Sequence, residues 1–428
     1  MSTRILSSSL NTFHTKEQNT NDEGPSNPIT VSKYTGTGRH DGKEQRRSST
    51  HEAASDGEEP LSLLAKEGYG YYPCAVVDHR LNRYEIVRKL GWAGSSSVWL
   101  CIDTAAPHKT YVAIKMLTAF ATACEVFGGL TEYTVFKHIE LVAPHHPGFP
   151  HCLTMHDSFM AHTSAGRHLC FVTDVLGPNM RTLRSAQPNY RFSVSIAKRI
   201  IKQILLAINY LHVECQYIHT DIRSDNVSAV LADPVSTIDK HLEISPSQIA
   251  KSQPLTDPNL DLRFLNVRLI DYGTGKTVWP SSYARVYFDI ASPVHDNEHD
   301  LCQAPIVRAP EVTLGICGQL LLTFGQLDVS PYSADVHLQN MVNCLGSFPP
   351  QFLEACSKRT EYFDEHGSLL RATNLKPRSL EDTLHGFSFL NADDIPSLAV
   401  FMHRCLALDP ASRPSALELL DDKWLEDV

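Results

Sequence analysis

The run Tyr217-Ile218-His219-Thr220-Asp221-Ile222-Arg223-Ser224-Asp225-Asn226 places an aspartate two residues after a histidine, and an asparagine five residues after that aspartate. A carboxylate can accept the proton of an attacking hydroxyl, and an asparagine amide can hold a metal ion on phosphates. Three other stretches carry groups suited to the same chemistry. Val112-Ala113-Ile114-Lys115 ends an apolar run on a cation. Asp271-Tyr272-Gly273 sets a carboxylate beside a glycine, after Val267-Arg268-Leu269-Ile270. Leu90-Gly91-Trp92-Ala93-Gly94-Ser95-Ser96-Ser97-Val98 offers small residues past which backbone N–H groups can approach an anion.

Each motif alone is weak, because turn aspartates, surface lysines and hairpin glycines are common. In this order, with Ala309-Pro310-Glu311 downstream, they resemble the motifs of protein kinases. The resemblance implies a role for each residue. Asp221 orients a hydroxyl, Arg223 neutralises developing charge, and Asn226 and Asp271 hold Mg²⁺. Lys115 contacts the α- and β-phosphates of ATP and pairs with Glu132. Leu90, Gly91, Gly94 and Val98 belong to the loop that covers the nucleotide. Phe171 to Gly177 falls on the strand-to-hinge segment, with Thr173 at the gatekeeper position and Asp174 to Leu176 offering backbone groups to adenine. Glu311 pairs with Arg413 in a structural role.

These residues need elements to position them. Tyr84 to Leu90 alternates as a strand, Ser97 to Ile102 follows as its hairpin partner, and Tyr111 to Met116 is a third strand. Glu132, Val135, Phe136 and Ile139 have helical spacing, which turns Glu132 inward. Further strands fit Leu153 to Phe159 and Leu169 to Asp174. Ile196, Ile200, Ile204, Ile208 and Leu211 form the apolar stripe of a helix leading to Asp221. Helices are expected over Ser397 to Leu406 and Ser415 to Leu420, the last with Ser415 as N-cap and Glu418 at capping-box spacing. The expected fold is α+β and two-lobed: a Ser/Thr/charged disordered tail over 1–67, a small β-rich lobe over 68–176, and a larger mainly helical lobe over 177–428. A surface insertion is expected near 232–262.

Composition narrows the class. In 428 residues, a hydrophobic content of 42% is ample for a core, and a formal charge of −10 argues against a general nucleic-acid binder. The 11 cysteines are dispersed without a C-x-x-C pair, which fits reduced thiols rather than a disulfide framework or zinc site. No apolar run approaches the length of a membrane span. The cluster Lys43-Glu44-Gln45-Arg46-Arg47 is a solvated charge run or a nuclear address.

Tyr71-Tyr72-Pro73, Arg88-Lys89-Leu90-Gly91-Trp92, Ser97-Val98-Trp99-Leu100, Val175-Leu176-Gly177 and His219-Thr220-Asp221-Ile222 are together similar to the serine/arginine-protein kinases. Phe363-Asp364-Glu365-His366-Gly367 and Leu375-Lys376-Pro377-Arg378-Ser379-Leu380 are similar to their fungal branch. That resemblance implies a monomeric cytoplasmic and nuclear enzyme using ATP and Mg²⁺, with Arg/Ser-rich splicing-type proteins as partners and no direct nucleic-acid or membrane partner. Three departures stand out. Arg223 replaces a lysine, which keeps the charge but changes its shape. Ala93 and Ser96 replace two glycines of the covering loop. After Glu311 the family has a buried central helix beginning Asp-x-Trp, whereas here Thr313 to Gly318 runs into Gln319 to Gly325, leaving about twenty residues missing against the usual helix length. The expectation is therefore a protein serine/threonine kinase. The alternative is a kinase-shaped binding module for basic Arg/Ser-rich partners, inactive or weak in catalysis.

Overall fold

A computed structural model describes residues 58–73, 80–128, 132–245, 251–257, 260–273, 276–277, 333–371 and 378–428. The N-terminal part is built on a six-stranded antiparallel sheet. In chain order its strands are β1 (Arg80–Leu81), β2 (Tyr84–Ala93), β3 (Ser96–Asp103), β4 (Tyr111–Leu117), β5 (Met155–Thr163) and β6 (Gly166–Thr173). They lie in the spatial order β1-β2-β3-β4-β6-β5. Side chains alternate across a strand, so β6 serves two cores. Cys170 and Val172 pack with Ile86, Trp99 and Ile114 on one face. Leu169 and Phe171 face the other way, against Val135, Phe136 and Ile139. Burial on both faces explains why β6 reads as an unbroken apolar run rather than an alternating one.

Two helices cross the second face. α1 (Ala119–Val126) follows β4 directly and was not anticipated from the sequence. Its N-cap Thr118 accepts from the Ala121 N–H. α2 (Glu132–Leu141) buries Glu132, Val135, Phe136 and Ile139, as their spacing predicts. Strands β5 and β6 are each longer than or displaced from their expected spans.

β7 (Leu176–Asn179) leaves the sheet and leads to α3 (Met180–Ser185) and the 20-residue α4 (Val194–Val213). Ser193 caps α4 by accepting the Ile196 N–H. One side of α4 (Ile200, Ala207, Tyr210, Leu211) joins the core that holds Phe136 and Leu269. Its other side (Leu205, Ile208) packs against late helices. After α4 come β8 (Tyr217–Ile218), β9 (Val227–Val230), α5 (Pro234–Ile244), β10 (Val267–Leu269) and β11 (Lys276–Thr277). The short sheets are β10-β9-β7 and β11-β8. The remaining helices are α6 (Ala334–Leu345), α7 (Pro350–Ala355), α8 (Arg359–Tyr362), α9 (Leu380–His385), α10 (Ile395–Cys405) and α11 (Ala416–Leu420). The expected capping box is present on α11: Ser415 and Glu418 satisfy each other's backbone N–H.

Two sequence expectations need correction. Structure is already in place at Glu58 rather than Gly68, because Glu58 and Glu59 both bind the buried Lys89 of β2. The insertion near 232–262 is more than a surface loop. It contains α5, whose Ile238 is fully buried, and its Gln253 N–H donates to the Lys89 carbonyl at 2.9 Å. Local composition concealed both, since polar residues that look solvated were matched by partners far along the chain. Glu311, residues 313–325 and the cluster at 43–47 lie outside the described residues, and so does the expected loss of a central helix. Among the described residues no helix is long and apolar enough to cross a membrane, and the eight cysteines form no disulfide.

Candidate active site

The loop between β8 and β9 is held by bonds within itself and by bonds to Ile270 at the end of β10. His219 is buried, its Nε2–H donates to the Ile270 carbonyl at 2.9 Å, and its Nδ1 accepts the Asp221 N–H at 3.3 Å. One nitrogen donating and the other accepting defines a neutral ring. Burial accordingly pushes the His219 pKa down. Thr220 takes a left-handed conformation (φ 64°), which turns the chain so that Asp221 faces the interlobe space. Asn226 donates from Nδ2 to both the carbonyl and the Oδ2 of Asp221, each at 2.9 Å. The Asn226 carbonyl accepts the Ile270 N–H at 2.9 Å, and this ties the loop to the end of β10.

Ile270 is followed by Asp271, which is also left-handed (φ 68°). Its Oδ1 accepts from Lys115 Nζ at 2.8 Å, and Glu132 receives the same ammonium at 2.7 and 2.8 Å. Burial alone would lower the Lys115 pKa, but the two carboxylates outweigh it and the pKa is raised. Lys115 holds the Asp271 carboxyl below its ordinary value. Burial raises the Glu132 pKa above its ordinary value, against the downward pull of Lys115. Two short bonds to one cation favour its ionised form. A file of rings supports this trio. Phe171, Phe136, Tyr272 and His219 meet in sequence in tilted and edge-to-face contacts, at centroid distances of 5.4, 5.3 and 5.7 Å.

These groups line one cavity of about 510 Å³. Among the expected site residues, Leu90, Gly91, Val98, Lys115, Glu132, Asp174, Leu176, Asp221, Arg223, Asn226 and Asp271 all border it. Thr173 does as well. Gly94 does not: with Ser95 it forms the two-residue turn between β2 and β3, where Ala93 pairs with Ser96. An added Cβ at Gly91 or Gly94 meets nothing within 4 Å, so packing within the protein does not require glycine at either position. The side chain of Asp174 is bound by His156 at 2.7 Å and by Arg268. The hydrogen bond from His156 leads the causes that hold its pKa down at about 2.

The donor set suits a hard divalent cation. Asn226 engages its amide nitrogen with Asp221, which orients the amide oxygen as a ligand. Asp271 has a second carboxylate oxygen beyond the one on Lys115. Among the described residues no cluster of three or more His, Cys, Asp or Glu forms a separate metal site.

Some lining residues were not visible in the sequence. Pro254 and Leu255 from the insertion border the cavity, and Leu255 is buried against Ala113, Val175 and the flanking Leu90 and Val98. No local pattern marks them. Asp225 also borders the cavity and pairs with Arg223 at 3.1 Å. Its place between Arg223 and Asn226 was a signal that could have been used.

A protein kinase domain model matches residues 84–425. The chain is 36% identical to protein kinase dsk1 of Schizosaccharomyces pombe, over 84% of each protein. It is 26% identical to serine/threonine-protein kinase SRPK of Physarum polycephalum, over 87% of this chain and 92% of that protein. It is 33% identical to SRSF protein kinase 3 of Mus musculus over 38% of this chain and 28% of that protein.

Proposed function

The chain belongs to the protein kinase family, and from that premise we propose how its residues divide the work. It is a protein serine/threonine kinase that transfers the γ-phosphoryl group of ATP to a hydroxyl with the help of a divalent metal. We assign Asp221 to orient and deprotonate that hydroxyl. Asn226 holds Asp221 in place through its amide nitrogen and faces the metal with its oxygen. Asp271 is the second metal ligand, and the metal is Mg²⁺. Lys115, held by Glu132, fixes the α- and β-phosphates, and Arg223 faces the transferred group. Leu90, Gly91 and Val98 cover the nucleotide, while Asp174 to Leu176 present backbone groups to adenine.

The observation that carries this reading is the meeting in one cavity of the Asp221–Asn226 pair with the Lys115–Glu132–Asp271 trio. The names of SRSF protein kinase 3 and SRPK fit Arg/Ser-rich protein substrates. We extend that substrate class to this chain, acting as a monomer in cytoplasm and nucleus without direct nucleic-acid or membrane contact. The lobes are assigned to 68–176 and 177–428, with the segment from Glu58 attached to the first through Lys89.

Purified protein with radiolabelled ATP and an Arg/Ser-rich peptide tests the proposal. Wild type should transfer label to serine. Asp221→Ala should lose about 10²–10⁴ in rate while keeping ATP affinity. A folded wild type that binds the peptide but transfers no label would establish the binding-module alternative.

A further inference from the structure

Arg223 and its neighbours contain an arrangement that the assignments above do not use. Asp225 lines the cavity and meets two guanidinium groups. Arg181, on α3, grips it with two teeth: Nε to Oδ1 at 2.7 Å and Nη2 to Oδ2 at 2.8 Å. Arg223 reaches the same carboxylate with a single contact, Nη2 to Oδ2 at 3.1 Å. α3 holds Arg181 at a fixed place. Its N-cap Asn179 accepts the Thr182 N–H at 2.9 Å, and Ser185 Oγ donates to the Arg181 carbonyl at 2.9 Å.

A carboxylate and a guanidinium prefer a two-pronged, fork-to-fork pairing. Only one arginine can pair with Asp225 in that way, and here it is Arg181. Arg223 is left with a single-pronged contact, and it still borders the cavity.

We propose that Arg181 is a positioning residue for phosphoryl transfer: by engaging both oxygens of Asp225 it keeps Asp225 from clamping Arg223, and so leaves the Arg223 guanidinium turned toward the transferred phosphoryl group. The proposal rests on the assignment of Arg223 above. A guanidinium carries its donors in a rigid fork, so a competing fork partner would redirect the whole group rather than one bond. Arg181 is 61% exposed, and an exposed pair contributes little to stability, so its effect should be kinetic.

The test uses the full chain and steady-state kinetics with ATP and an Arg/Ser-rich peptide, with thermal melts in parallel. Arg181→Ala should lower kcat by about ten- to a hundredfold, as expected when a reacting-group contact is misplaced. The KM for ATP and the melting temperature should barely move. Arg181→Ala with Asp225→Asn should recover most of the lost kcat, because a neutral amide no longer captures Arg223. The inference is overturned if the double variant is as slow as Arg181→Ala. It is also overturned if Arg181→Ala changes only the peptide KM, which would make Asp225 a substrate contact. Arg223→Ala separates the two levels. Unchanged kcat in that variant removes the assignment of Arg223 itself, whereas a slow Arg223→Ala beside an unimpaired Arg181→Ala removes only the role of Arg181.

Discussion

Two lysines of one sheet, one half-buried and one buried, have been put to opposite uses. Lys115 on β4 and Lys89 on β2 are each held by two carboxylates: Glu132 and Asp271 for the first, Glu58 and Glu59 for the second. The difference lies in what the surroundings leave open. The Lys115 side chain is 18% exposed and borders the candidate-site cavity; that of Lys89 is 1% exposed and does not. Their pKa values also diverge. Burial opposes both charges, but the carboxylates prevail at Lys115 and burial prevails at Lys89. A lysine between two carboxylates is therefore not by itself a catalytic sign. It becomes one where the cation faces a space that phosphates can enter. Where the space is closed, the same trio works as a rivet, here joining β2 to the segment before β1 and, through Glu58 and Ser252, to the insertion.

The sharpest way to break this comparison is to remove each cation. Lys115→Met should reduce turnover at saturating ATP by about 10²–10³-fold, the scale of losing one preorganised charge contact. Lys89→Met should leave turnover per folded molecule within about threefold but cost about 3–5 kcal/mol in chemical unfolding, because it strands buried carboxylates. An inactive Lys89→Met protein of undiminished stability would dissolve the distinction.

A smaller effect is expected at the cavity edge. Thr173→Phe should weaken inhibitors that extend past the adenine region by about ten- to a hundredfold while ATP KM changes little, measured by competition binding. Equal losses for both ligands would mean that Thr173 does not gate the back of the cavity.

The smallest effect tests an ion-pair cluster that is neither sealed nor catalytic. Asp174 sits between His156 and Arg268 and is 40% exposed. Its folded pKa, about 2, lies below the ordinary 3.8, so its stabilisation is full above that ordinary value and disappears as pH falls to about 2. The His156 pKa is raised above 6.5, foremost by its bond to Asp174. That share is full below 6.5 and is lost as pH rises through the raised value. Asp174→Asn should therefore cost most between about pH 4 and 6.5. After discounting for solvent screening, the cost there is about 1 kcal/mol. Urea unfolding of both proteins at pH 3, 5.5 and 8.5 checks the bell shape, and a difference independent of pH would contradict it.

The sequence by itself determined what could be settled within a few residues or by a repeating pattern. Asp221 and Asn226 bond to each other across five positions, so their spacing already contains the geometry. The helical stripe of α4, the inward face of α2 and the box formed by Ser415 and Glu418 follow from periodicity and capping, which are local. What only the tertiary structure decided was the meeting of charges from distant segments. Lys115 reaches Asp271 across 156 positions, Lys89 reaches Glu58 across 31, and Arg181 reaches Asp225 across 44. The physical reason is that polarity records how a side chain interacts with water but not which partner replaces that water. Glu58 and Asp225 look like solvated carboxylates until folding closes a loop and sets a cation against them. Leu255 looks like one apolar residue in a polar insertion until the chain returns it to the wall of the candidate-site cavity.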